Sequence, residues 1–515
     1  MSVLPNHVWR ASGRHVPGVM LAFGLCVLAG CAGVAQAAPV LSQIGQSRRI
    51  LEGSTPLIMQ VDPASVRESA RAEAVAEGMD TSDNLLGDMA GARVWMFLHG
   101  ITFDLHEVDE LWGNVSGGLS RGPAYTGVTM PTLTVDMEKL VGLRGGTFNI
   151  SALQIHGRSI SQDRLSVFNP VSGFEADRST RLFELWYQQS LLHGKLDVRV
   201  GQQDLDTEFM ITSYGSLFLN ANFGWPMAPS NNLYAGGPSW PLASPAVRLR
   251  YRPTDSLTAL FVAADDNPPG NQSNSLPIQD GGNPADPTNQ NTNNASGTRF
   301  NMGTGALLMA EVDYALSLPL GHGGRRGLPG QYKLGGLYDT ARFPNYSYDR
   351  QGRPLGLYPQ DAGNSVPGWL RGNWMVYGVV DQMVWRSATS PGRSLGVFAR
   401  ATGNGGDRNA IAFAVDAGLD LKAPFAGRDN DTLGLGGGMG RATYGQRRFD
   451  RNTHAIEQGN EALVELTYQA QVTPWCVLQP DFQYVIAPSG GIYAPGTHHR
   501  VGNEVVFGLH SSVSF

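Results

Sequence analysis

Arg248, Arg250 and Arg252 recur on alternate residues, opposite Val247, Leu249 and Tyr251. In an extended chain the three guanidiniums line one face as a ladder. A guanidinium is a rigid fan of donors with no acceptor. Glu184 and Trp186 share a face in the same way, opposite Phe183, Leu185 and Tyr187. They pair an acceptor with a broad apolar ring that keeps one N–H. Asp136 and Glu138 add acceptors on another stretch. Donors, acceptors and a flat apolar surface together suit a solute that both donates and accepts hydrogen bonds. Mixed charge also leaves no strong field for ions of one sign. The three-arginine ladder leaves an acidic solute open.

Other chemistries fit less well. Gly118-Leu119-Ser120-Arg121-Gly122 matches a nucleophile-elbow pattern, but lacks the preceding apolar strand and following helix that the elbow needs. Asp204, Asp206 and Glu208 alternate without the glycine turn and further ligands of a calcium loop. The 11 histidines show no zinc spacing. Of Cys26, Cys31 and Cys476, two lie in the leader region, which leaves no disulfide pair. No cofactor and no metal is expected.

These side chains need elements to carry them, and the repeated element is a strand. At the carboxy end Val505, Phe507, Leu509, Val513 and Phe515 face one way, and Gly508, His510, Ser512 and Ser514 the other. Ile101–Leu105, Leu133–Met137, Lys195–Gln203, Glu461–Val472 and Leu478–Ile486 alternate likewise. One greasy and one charged face, for about 10 residues at a time, is the signature of an outer-membrane barrel strand. A soluble sandwich also alternates, but has no need for so many charges in register. No apolar run of about 20 residues follows the leader, so a membrane span must be a closed sheet.

Composition agrees. The chain has 515 residues, 65 of them glycine, with 16% charged and a net charge of −6. That balance supplies no basic field for nucleic acid. A mean hydropathy of −0.18 is low for a helical membrane protein and suits a barrel, whose two faces average out.

The amino-terminal arginines Arg10 and Arg14, the apolar run from Val19 to Gly30 and the small residues Ala35-Gln36-Ala37 lay out a secretory signal peptide over 1–37. Leu28-Ala29-Gly30-Cys31 also resembles a lipobox, so acylation of Cys31 stays open. Residues 38–98 read as a helical periplasmic extension, with helices from Pro63 to Met79 and from Leu85 to Leu98. The barrel then takes 99–515. Short turns are expected at Arg252–Asp255 and Thr473–Trp475, and long loops over about 265–305 and 342–372.

Several blocks, in order from about residue 90 to 515, resemble the carbohydrate-selective porin family of the OprB type. They include Gly113–Gly122, Ala152–Arg158, Arg181–Tyr187, Arg199–Asp204 leading into Glu208-Phe209, Phe223–Pro226, Gly236–Pro238, Glu465–Tyr468 and Gln479–Tyr484. The resemblance implies an all-β, transmembrane antiparallel barrel of about 16 strands, monomeric, with loops folded inward to a constriction. It implies passive uptake of sugars, glucose and related monosaccharides, into the periplasm. Arg121, Arg158, Arg178, Arg181, Glu208, Trp225 and Trp240 lie in or beside those blocks. The expected constriction set is Arg121, Arg158, Arg181, Glu184, Trp186, Glu208, Trp225, Arg248 and Arg250. The competing reading of each residue is charge balance inside a wet barrel. Expected partners are small sugars, outer-membrane lipid and lipopolysaccharide, and no nucleic acid. A secreted glycoside hydrolase, working through paired carboxylates, and a structural outer-membrane protein are the alternatives.

Overall fold

The computed structural model describes residues 83–268, 294–300, 302–319, 327–390, 392–494 and 496–515. The expected signal peptide, Cys31 and the helix from Pro63 to Met79 lie outside them.

Among the described residues, sixteen strands close one antiparallel barrel. They are β1 (Ile101–Ser116), β2 (Gly122–Asp136), β3 (Gly146–Gly157), β4 (Ser179–Leu191), β5 (Leu196–Gln203), β6 (Ser244–Thr254), β7 (Leu257–Ala264) and β8 (Leu307–Leu318), followed by β9 (Leu328–Asp349), β10 (Pro367–Arg386), β11 (Ser394–Asn404), β12 (Ile411–Lys422), β13 (Thr432–Ala442), β14 (Asn460–Thr473), β15 (Cys476–Ile486) and β16 (Glu504–Ser514). Each pairs with its neighbours in sequence. β16 closes on β1 through a register that includes Leu111 opposite Leu509 and Glu110 opposite His510.

Burial reveals the solvent on each face. On β6, Arg248 is fully buried while Val247 and Leu249 are 45% and 38% exposed. Leu111, Val200, Val312, Leu334, Val376, Leu466 and Phe507 are exposed in the same way. Glu110, Asp197, Glu311, Asp381, Arg400, Glu465 and Asp481 are buried. A water-soluble protein shows the reverse. An apolar exterior over a charged interior, with no unpaired strand edge, is stable in lipid.

The two barrel ends differ as expected. Pro474-Trp475 alone joins β14 to β15, and Asp255-Ser256 joins β6 to β7. The second turn is tighter than the sequence reading had it, because β6 runs on through Thr254, past a register shift after Tyr251. At the other end, long segments over 158–178, 204–243, 443–459 and 487–503 join the strands. The expected loop over 342–372 shrinks to 350–366. β9 and β10 keep pairing beyond the wall, with Arg371 opposite Arg342 and Pro367 opposite Asp349. Asp349 caps that tip, accepting from the Arg353 and Gln351 amides at 2.9 Å each.

The expected helix over Leu85–Leu98 is shorter too. Only α1 (Ala92–Leu98) is helical. Met89, Ala90 and Gly91 take positive φ and break the turn before it. This segment seals the seam. The Leu85 amide donates to Ser514 O at 2.8 Å, and Arg93 Nη2 to Phe515 O at 2.6 Å.

Candidate functional site

The lumen is narrowed by the segments over 158–178 and 204–243, which fold inward. The second carries Leu205, Phe209, Met210, Phe218, Phe223 and Met227, too apolar to lie in water. These pack against wall residues of many strands, among them Leu260, Met309, Tyr377 and Phe398. Strand β13 clears a groove for it. A Cβ at Gly434 would lie 2.6 Å from Leu217, at Gly436 2.9 Å from Phe218, and at Gly438 2.4 Å from Asn222.

Charged wall residues then tie down the backbones of both inward segments. Glu465 accepts from the Leu219 and Asn220 amides at 2.6 and 3.1 Å. Asp381 takes Ser213, Glu311 takes Met210, Glu461 takes Phe168 and Glu504 takes Ser166, all within 3.0 Å. Arg400 does the converse. Held by Asp416 at 2.9 Å, it donates to the carbonyls of Met210, Gly224 and Asn222 at 2.7, 2.7 and 2.5 Å. Charge-assisted bonds to main-chain groups are strong in a low-dielectric interior, so the narrowing has a fixed shape.

Where the start of this loop meets β4, β5 and β6, polar side chains converge. Glu208 lies 2.6 Å from Arg248 Nε and 3.3 Å from Arg199 Nη2. Arg248 Nη2 also donates to Gln188 Oε1 at 2.9 Å. Arg199 stacks over Trp186, its guanidinium carbon 4.0 Å from the ring centre. Glu184 accepts from the Asp204 amide at 3.3 Å. Register explains the meeting: Arg199 stands opposite Gln188 on one side and Arg248 on the other. Burial works against ionisation of Glu208, but Arg199, Arg248 and Arg250 outweigh it and hold the carboxyl down at about 2. The rest of the ladder is paired as well. Arg250 and Arg252 reach Asp197 at 2.7 and 3.4 Å. The result is donors, acceptors and an aromatic face within one cluster, with the charges balanced locally.

Of the residues singled out from sequence, Glu184, Trp186, Glu208, Arg248 and Arg250 come together. The others do not join them. Arg121 is exposed on the β1–β2 connection, and Arg178 is exposed ahead of β4. Arg158 pairs with Asp163 at 2.8 Å. Arg181 is buried and donates to Asn294 O at 2.9 Å. Trp225 is 5% exposed, packed within the apolar loop cluster, and its N–H is taken by Gly236 O at 2.7 Å. Trp240 packs edge-on to Phe174. Asp136 caps the short helix Met137–Val141 at the opposite end of the barrel. Arg199, Gln188 and Arg400 were not singled out beforehand. Arg199 carried the one usable signal, its place on the polar face of β5.

The structure also accounts for the two motifs set aside. Ser120 lies in a strand connection, its carbonyl accepting from Asn114. The Asp206 amide donates to Asp204 Oδ1 while Glu208 is committed to guanidiniums, so the three acids serve the loop and the cluster.

Glu175 staples the 158–178 segment by accepting from Ser159 Oγ, from the Ser161 amide at 2.9 Å and from Ser161 Oγ at 2.9 Å. Burial raises its carboxyl to about 7, and the serine hydrogen bonds offset only part of that. A raised acid stabilises the fold in its protonated form. That stability is full below the ordinary value of 4.5 and is lost as pH rises through about 7. Thermal denaturation across that window should show a falling midpoint, and Glu175→Gln should flatten the slope. An unchanged slope in the variant would exclude Glu175 as its source.

The family model for the carbohydrate-selective porin, OprB family, matches residues 120–515. The chain belongs to that family. Its members are outer-membrane channels, and the chain is a carbohydrate-selective OprB-family porin of the outer membrane. It is 26% identical over 463 residues to Porin B of Pseudomonas aeruginosa, covering 84% of this chain and 91% of that protein. The putative porin QuiX of Acinetobacter baylyi is 22% identical over 449 residues, covering 79% and 89%. The high-pH structure of Pseudomonas putida OprB superposes with a TM-score of 0.69 at 24% identity, over 85% of this chain and 99% of that one, a likeness of fold.

Proposed function

We propose that this OprB-family porin passes neutral monosaccharides of the glucose type passively into the periplasm as a monomeric barrel, with Trp186, Gln188, Arg199 and Glu208 as the contact surface. The observation that carries this reading is the Arg199–Trp186–Glu208–Arg248 cluster beside the inward loop. A pyranose presents hydroxyls that donate and accept on its rim and C–H bonds on its faces. Glu208 supplies acceptors, Arg199 and Gln188 supply donors, and Trp186 supplies a face. The local pairing of Arg248 with Glu208, and of Arg250 and Arg252 with Asp197, favours a neutral sugar over an acidic one.

Purified protein in a planar bilayer should give stepwise conductance that falls as glucose is added to one side. Glucuronate at the same concentration should block less. Conductance insensitive to any sugar would remove the contact surface and leave the channel. Stronger block by glucuronate would reassign the site to acidic sugars.

A further inference from the structure

The outer wall of β1–β3 carries side chains that do not belong in hydrocarbon. The β1–β2 register runs unbroken from Ile101 to Asn114, so Glu107 and Asp109 share the face of Leu105 and of the exposed Leu111. Residues of the other parity, His106, Val108, Glu110 and Trp112, are buried inside. Glu107 stands opposite Thr129, Asp109 opposite Gly127 and Gly127 opposite His156. Two carboxylates and an imidazole thus meet on the lipid side, with apolar outward residues before and after them on the same strand. Among the described residues, the ionic partner of each carboxylate is His156.

We propose that Glu107, Asp109 and His156 form a divalent metal site of the zinc class on the outer wall of the barrel. His156 Nε2 lies 3.6 Å from Glu107 Oε1 and 3.8 Å from Asp109 Oδ1, and the three donor atoms all fall within 4.8 Å of one another. Ligand atoms of a tetrahedral zinc, each about 2.1 Å from the metal, stand roughly 3.4 Å apart. Small side-chain movements therefore close the set. The imidazole is already oriented for it. Its Nδ1 lies 3.0 Å from Gln154 Oε1, the outer hydrogen bond that leaves Nε2 as the ligand. Gly127 makes the room, since a Cβ there would lie 2.4 Å from His156 Nε2. Tyr125 Oη, 3.0 Å from His156 Nε2 and bonded to Asp109, borders the fourth position. Charge decides the matter. A divalent ion bound by two carboxylates and a neutral imidazole has no net charge, which a lipid-facing surface tolerates and two bare carboxylates do not.

The test is calorimetric titration of the full-length, chelator-treated porin in detergent with Zn2+, repeated with Co2+ for its visible absorption. One site per chain is expected. His156→Ala and Asp109→Asn should each weaken it at least tenfold and abolish the cobalt band, while heat-modifiable mobility and glucose-dependent conductance stay as in the parent. Gly127→Ala should weaken binding through the lost space. No zinc binding, or binding unchanged in both ligand variants, would overturn the proposal. So would binding that disappears only when His498 and His499 are replaced. A zinc-independent dimer dispersed by Asp109→Asn would overturn it in favour of a contact between copies.

Discussion

Arg400→Ala should widen the channel and weaken the barrel together. Arg400 is fully buried, paired with Asp416, and donates to three carbonyls of the inward loop. Its removal strands Asp416 without a partner and leaves the three carbonyls without donors. Breaking a buried pair by deleting one member costs about 3–5 kcal/mol. The wall strands keep their ladder, so most of that loss falls on the loop, which can lift from the wall. Single-channel recording should show larger, noisier steps and weaker sugar block, and the unfolding midpoint should drop. Arg400→Lys should restore little, because an ammonium cannot span the carboxylate and three carbonyls in one plane. Unchanged conductance in Arg400→Ala would mean that apolar packing alone holds the loop.

Glu208→Gln should turn a balanced cluster into a cationic one. Arg199 and Arg248 lose their shared counter-charge, and Arg250 keeps only Asp197. Reversal potentials in a salt gradient should move toward anion selectivity. Sugar block should weaken about tenfold to a hundredfold, the value of one hydrogen bond to a charged group. pH gives an independent check. Glu208 is held down at about 2, so its carboxylate keeps its charge through the ordinary carboxylate range and loses it only as pH falls through about 2. Parent selectivity attributable to this residue should therefore stay flat on acidification to about pH 3. A parent channel that shifts toward the variant's selectivity near pH 4.5 would show that Glu208 titrates normally and that the arginines do not hold it.

How much of this was legible beforehand divides along physical lines. Strand alternation is local, so β1, β5, β6 and β14–β16 could be read from side-chain period alone. The ladder Arg248–Arg252 and the pair Glu184–Trp186 came from the same signal. The length of β9 and β10 was not legible, because their outer pairing depends on each other and on Asp349, not on alternation. Trp225 illustrates the limit for single residues. A tryptophan next to a proline in a loop looks like a sugar platform, and only its neighbours show that the ring packs inside the loop.

The chain's own pattern determined the barrel, its orientation to lipid and the class of side chain in its lumen, because period two and composition are carried by each strand separately. Tertiary structure alone decided which residues narrow the pore. Glu465, Asp381, Glu461 and Glu504 grip main-chain amides, which have no side-chain identity and leave no pattern to read. Arg199 meets Trp186 and Glu208 through cross-strand register and a loop that returns from outside, contacts that exist only once the sheet has closed.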